Sequence, residues 1–177
     1  MKNEYAQWRK LDNAALAFPA VTGKNDTRVF RFYCELKEEI KEENLQEALE
    51  RTLEKYPLFR AVLRKGLFWF YLERRDIPAV VKKEAGAPCS GLYIPDKKTL
   101  LFRVSYYKNR INFEVFHALT DGTGAMHFLM ELVKNYLYLA HKDDGLTDVK
   151  LRAEDVTVQD QENDGFVKYY TKNTKKP

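Results

Sequence analysis

Histidine is the side chain whose charge changes most readily near neutral pH, and His117 is the histidine here with chemically suggestive neighbours. In Phe116-His117-Ala118-Leu119-Thr120-Asp121-Gly122-Thr123-Gly124, a carboxylate follows the imidazole by four residues and two glycines flank Thr123. Upstream, Ile111, Phe113 and Val115 alternate with Asn112 and Glu114, the period of a strand with one apolar face. His117 continues the parity of the apolar set, so it is expected at the strand end, pointing where the core points. The glycines call for a turn, and an amphipathic helix follows. An inward imidazole at a strand end, beside a turn that carries a carboxylate, has the make-up of a general base.

Two other readings compete on residues alone. His117 and Asp121 at i and i+4 would suit a pair of metal ligands on a helix. Gly122 and Gly124 oppose a continuous helix there, and no third ligand has convincing spacing, so no metal is expected. A satisfied core histidine is the plainer alternative. His127 falls on the following helix, and His141 in its last turn is an expected C-terminal cation.

His117-x-x-x-Asp121-Gly122 resembles the HxxxDG signature of an acyltransferase superfamily. That group includes chloramphenicol acetyltransferase, the condensation domains of peptide synthetases, plant acyl-CoA acyltransferases and the alcohol acetyltransferases, the last being the nearest likeness. A second segment, Lys55 to Leu63 (KYPLFRAVL), is similar to the condensation-domain pattern Arg-His-Glu-x-Leu-Arg-Thr-x-Phe. Lys55 takes its first basic position, Phe59 its leucine, Arg60 its arginine and Leu63 its final phenylalanine. The match departs at Tyr56-Pro57, where His-Glu is expected.

The resemblance implies an α+β chloramphenicol-acetyltransferase-like half domain, a largely antiparallel mixed sheet covered by helices. It implies that His117 is a general base without a covalent intermediate. Asp121 would be structural, paired with Arg60, and Gly122 would allow close backbone approach. Acetyl-CoA or another acyl-CoA would be the cosubstrate, with no tightly bound cofactor and with a small alcohol or amine as acceptor. A carrier-protein thioester is the alternative donor. A catalytically inactive binding or assembly module of the same fold is the alternative function.

These residues need a scaffold, and the remaining pattern supplies one. Within Trp8 to Val21, Leu11-Asp12-Asn13 is turn-like and Leu16 to Phe18 reads as a short strand ended by Pro19. The segment resembles the start of alcohol-acetyltransferase-like proteins, where it lies near the channel entrance, and an ordinary edge segment is the alternative. Thr27 to Leu36 alternates as a strand, with Phe30, Phe32, Cys34 and Leu36 on one face. Leu45, Ala48, Leu49, Thr52, Leu53 and Tyr56 recur at helical steps, and Pro57 ends that helix. Leu67 to Glu73 is an apolar-aromatic strand after Gly66. Arg74 to Lys98 is mostly loop, with a short strand near Ala79 to Lys82. Leu100 to Tyr107 is joined to the His117 strand by a tight hairpin at Lys108-Asn109-Arg110. The last helix runs from about Thr123 to His141, with Met126, Leu129, Met130, Val133, Tyr136, Leu137 and Ala140 as its expected buried stripe. Phe166 to Tyr170 reads as a short helix or strand.

Composition bounds the rest. With 45% apolar residues the 177-residue chain can bury a core. Charged residues nearly cancel to +4, and no basic face stands out, so nucleic acid is not an expected partner. No apolar run approaches a membrane span, and Met1 to Lys10 lacks a secretory h-region. Cys34 and Cys89 lack metal or redox spacing and read as buried reduced thiols. Together these suggest a cytoplasmic location. The expected division is residues 1–141 as an acyltransferase-like N-terminal lobe and 142–177 as a polar connection toward a second lobe. On that reading the chain is a fragment inactive alone, or a short form completed by self-association.

Overall fold

A computed structural model of the chain describes residues 8–11, 17–23, 26–67, 69–95 and 97–142. In chain order these form β1 (Trp8–Lys10), α1 (Ala17–Val21), β2 (Val29–Glu35), α2 (Glu42–Lys55), a 3-10 turn (Pro57–Arg60), β3 (Ala61–Lys65), β4 (Phe70–Arg74), β5 (Lys82–Lys83), β6 (Phe102–Tyr107), β7 (Arg110–Phe116) and α3 (Gly122–Ala140). The turn at Asp12-Asn13 and the element at Phe166–Tyr170 lie outside the described residues, as does the connection from 143 onward.

Leu45, Ala48, Leu49, Thr52 and Leu53 form the buried face of α2. Glu42 and Glu43 in its first turn and Lys55 in its last complement the helix dipole. The Tyr56 N–H closes the helix on the Thr52 carbonyl at 3.0 Å, and Pro57 then opens the 3-10 turn. That turn drives Phe59 into the core.

The larger sheet has the order β2-β7-β6-β5, antiparallel except for the short β5–β6 pair. Its register puts Phe30, Phe32, Phe102, Val104, Ile111, Phe113 and Val115 on one face. The helices cover that face, with the Phe128 ring of α3 stacked on Phe113 at 4.8 Å and on Phe59 at 4.2 Å. α2 packs against α3. Lys41 N–H donates to the Tyr136 hydroxyl at 3.0 Å, Asn135 donates to Thr52 at 3.0 Å, and Lys55 meets Glu131 at 2.9 Å. A smaller sheet, β1-β4-β3, joins the same core through Leu63 and Leu72.

Several sequence expectations need correction. Of the strand expected at Leu16–Phe18, Leu16 lies outside the described residues, and Ala17 and Phe18 are helical. Ala17–Val21 is a short helix that contains Pro19, which costs little where a first-turn N–H has no helical partner. The strand expected at Leu67–Glu73 begins at Phe70, and Leu67 stands 91% exposed in the hairpin turn. The buried stripe of α3 is Ala125, Phe128, Leu129, Leu132, Tyr136 and Leu139, about one residue out of phase with expectation. Met126 is exposed. This helix is apolar on more than one side, so periodicity alone does not set its rotation; the Phe128 stack does. Cys34 and Cys89 are free but only half-buried. Burial raises both thiols above the ordinary cysteine value, helped by Glu35 at Cys34 and by Glu114 at Cys89.

The second face of the larger sheet is covered in part, although Tyr33 on that face is exposed. Asn112 and Glu114 are buried, and the segment from Glu84 to Ser90 meets them through Glu84 and Cys89. Glu114 accepts from Arg103 Nε at 2.8 Å and from Arg103 Nη2, and its other oxygen accepts from the Cys89 N–H at 2.8 Å. Cys89 has a left-handed φ of 56°, and its carbonyl accepts from the Thr27 hydroxyl at 2.7 Å. Glu84 accepts from Arg31, from Arg110 at 3.0 Å and from Asn112 at 3.4 Å. Burying carboxylates is tolerable only with such pairing. Among the described residues no helix is long and apolar enough to cross a membrane.

The Arg31 hydrogen bond, followed by that of Arg110, holds the Glu84 carboxyl below the ordinary carboxylate value. The folded protein therefore binds fewer protons here than the unfolded chain, and the contribution is complete above the ordinary carboxylate pKa. It is lost as pH falls through the folded value. Glu84→Gln is expected to lower stability at pH 7 by about 2 kcal/mol, the range of hydrogen bonds to charged groups. The gap to wild type should close in strongly acidic buffer. Denaturant unfolding across that pH range measures it, and a gap independent of pH would contradict the pairing.

Candidate active site around His117

β7 ends at Phe116, and His117 opens the turn that follows. The His117 N–H donates to the Arg28 carbonyl at 2.9 Å, one bond past the last β2–β7 pair of Val29 with Phe116. The Leu119 N–H closes the turn on the Phe116 carbonyl at 2.9 Å. The backbone of His117 is thus an extension of the sheet. Its imidazole is half-buried and lies against two rings. Phe18 of α1 stacks on it at 4.4 Å and 17°, and Phe30 of β2 meets it at 5.0 Å and 57°. Phe32 continues the aromatic wall, edge-on to Phe30 at 5.7 Å. Among the described residues neither ring nitrogen of His117 has a hydrogen-bond partner.

Asp121 is the N-cap of α3. Its Oδ1 accepts from the Gly124 N–H at 2.8 Å, three residues on, and its side chain is exposed. This relation follows from a short polar side chain just before a helical run, since the first helical N–H groups lack helical partners. Gly124, which the motif does not single out, is the tighter of the two glycines, and a side chain there would force Thr120 to shift. A Cβ there would collide with Thr120 Oγ1 and stand 3.4 Å from Asp121 Oδ1. At Gly122 a Cβ would meet only Phe32 Cζ, at an ordinary 4.0 Å.

Arg60 is not paired with Asp121. Its guanidinium meets Glu50 at 2.7 Å and Asp76 at 3.7 Å. The cause is local: Phe59 points into the aromatic core, and the adjacent Arg60 in the same 3-10 turn must point elsewhere. The structure brings His117, Asp121, Gly122 and Gly124 together in one turn, and it adds Phe18 and Phe30, which sequence reasoning assigned only to flanking elements. Parity with Val115 was the available signal for Phe30, its cross-strand partner. Among the described residues no group of three or more histidine, cysteine or acidic side chains converges to hold a metal ion.

An exposed cap predicts modest energetics. Asp121→Ala is expected to cost about 0.5–2 kcal/mol and Asp121→Asn far less, because asparagine caps as well as aspartate. The double variant Asp121→Ala with Arg60→Ala should be additive within about 0.5 kcal/mol. Denaturant midpoints decide it. A loss of about 3–5 kcal/mol, as for a broken buried ion pair, together with strong coupling would restore the pair.

No protein-family model matches the sequence, and no curated protein matches it either. Solved structures do match. Polyketide synthase associated protein 5 from Mycobacterium tuberculosis is 18% identical over 76% of this chain and 34% of its own, with a TM-score of 0.58. The starter condensation domain of rhizomide synthetase, in an arginine-to-alanine variant in complex with C8-CoA, is 15% identical over 82% of this chain and 38% of its own, with a TM-score of 0.62. Tallysomycin biosynthesis protein TlmII is 13% identical over 84% of this chain and 44% of its own, with a TM-score of 0.58. The chain spans less than half the length of each of these structures. Its described residues have the α+β fold of a condensation-domain, chloramphenicol-acetyltransferase-like half domain.

Proposed function

We propose that this chain contributes the histidine-bearing half of an acyltransferase. On this reading His117 is the general base, and the transfer runs from an acyl-CoA or a carrier-protein thioester to an alcohol or amine. The observation that carries the reading is the placement of His117. Its backbone continues the β2–β7 ladder, its ring stands in an aromatic wall, and the turn leads directly into α3. The fold supports the acyl-transfer class, and one structural neighbour carries C8-CoA.

A neutral imidazole nitrogen takes the proton of the acceptor O–H or N–H as that atom attacks the thioester carbonyl. The tetrahedral intermediate expels the thiolate, and the imidazolium returns the proton to sulfur. A new ester or amide and a free thiol result. The aromatic wall of Phe18, Phe30 and Phe32 limits water at the reacting atoms, which favours attack by the acceptor over hydrolysis. Asp121 acts on geometry by capping α3, and no proton passes through it.

Aligning donor with acceptor requires a surface facing His117. We propose that this surface comes from a second half of the kind present in the longer neighbours, or from a second copy of the chain. Molar mass in solution separates these sources.

In the complete enzyme, with the facing half or second copy present and the wild type turning over, His117→Ala is expected to lower thioester consumption by about 10²–10⁴-fold, the usual share of a general base, without changing the melting profile. The assay is acyl-CoA consumption with a panel of alcohols and amines. Equal turnover by the variant and the wild type would sink the assignment, and would favour a binding module of the same fold.

A further inference from the structure

We infer that Phe18 is a positioning residue that sets the ring plane of His117 by stacking. The inference deepens the reading of His117 as the base and rests on it for its catalytic meaning, but its geometry stands by itself.

A catalytic imidazole commonly has its plane and tautomer set by a hydrogen bond at the nitrogen that does not react. His117 has no such partner among the described residues. The backbone bond to Arg28 fixes where the Cα sits and leaves the terminal torsion free. That torsion is broad and roughly two-fold for histidine, so packing must choose the ring plane. The ring against which the imidazole lies nearly parallel is Phe18, at 17°, whereas Phe30 crosses it at 57°. A stacked aromatic contact of this kind favours the stacked orientation by about 2- to 10-fold over unstacked ones.

The two aromatic partners differ in how they are held. Phe30 belongs to β2 and is fixed by the ladder to Val115. Phe18 sits on α1, a five-residue helix outside both sheets. Its local tie is the Thr22 hydroxyl, which donates to the Phe18 carbonyl at 2.6 Å. Val21 on the same short helix is 53% exposed, so α1 lies at the surface. The orientation of the base therefore depends on a small peripheral element, and displacement of α1 would release the imidazole without disturbing the sheet.

The test reads ring geometry in the full chain. Nuclear Overhauser contacts between the Phe18 ring and the His117 ring protons are expected in the wild type, with the His117 signals shifted upfield by the stacked ring. Phe18→Leu should abolish that shift, and Phe18→Tyr should retain it. Diethyl pyrocarbonate should modify His117 about 2- to 10-fold faster in Phe18→Leu, matching the lost orientational bias. The rates at His127 and His141 should stay constant and report an intact fold. Absence of the wild-type ring contacts overturns the inference even if Phe18→Leu does not fold. Wild-type His117 shifts and modification rate in folded Phe18→Leu overturn it equally. These readouts are independent of turnover, so an inactive His117 and an unstacked His117 are distinguishable outcomes.

Discussion

The stack of Phe59, Phe128 and Phe113 is the contact on which the arrangement depends. Phe128 lies 4.2 Å from Phe59 and 4.8 Å from Phe113, and all three rings are buried. They come from the 3-10 turn, from α3 and from β7, the elements that carry Arg60, Asp121 and the approach to His117. Seating Phe128 sets the rotation of α3, and with it the face that α3 turns to the sheet. Seating Phe59 turns its neighbour Arg60 toward Glu50. One packing event thus fixes the helix that Asp121 caps and removes the arginine from it. Close-packed interiors behave this way because large rings have few arrangements without voids.

Much of the scaffold was legible because its signals are local. The alternation of Val29–Glu35 and Arg110–Phe116, the three- and four-residue steps of Glu42–Lys55 and the stop at Pro57 each act within a few residues. What escaped was set across the chain. The phase of α3 is decided by rings about seventy and fifteen residues away in sequence, as the numbers of Phe59, Phe113 and Phe128 show. The partial cover on the second face of the sheet escaped for a similar reason. Alternation separates Asn112 and Glu114 from Phe113 and Val115, but it does not say whether water or protein meets them. The cover is an irregular segment whose Glu84, Cys89 and Ser90 reach the sheet through hydrogen bonds. Neither hydrophobic period detects such a segment.

The site divides along the same line. The placement of His117, Asp121 and Gly122 in one turn was legible because six consecutive residues carry them. The partner of Asp121 was not, since a motif names residue types and leaves open what they touch. A carboxylate just before a helix has a nearby use for its charge, and capping the Gly124 N–H meets it without a distant arginine. The glycines show the same limit. Spacing draws attention to Gly122, while the space around each Cα shows that Gly124 is the one a methyl group would disturb.

The packing on the two faces of the sheet also bears on the catalytic role proposed for His117. β7 is paired on both edges, by β2 and β6, and is packed against aromatics on one side and an arginine–glutamate network on the other. A strand held in four directions has little freedom at its end, and His117 inherits that rigidity through the bond to Arg28. The rigidity stops at the Cα. Beyond it the imidazole is oriented by aromatic faces, which constrain the ring plane while leaving its polar edge unengaged among the described residues. A general base needs this combination: a fixed origin, a defined plane and a nitrogen not already committed to the protein. The network behind the sheet helps hold the strand that carries His117. Loosening the cover from Glu84 to Ser90 would free β7 on one side, and the freedom would reach the imidazole through the strand that carries it.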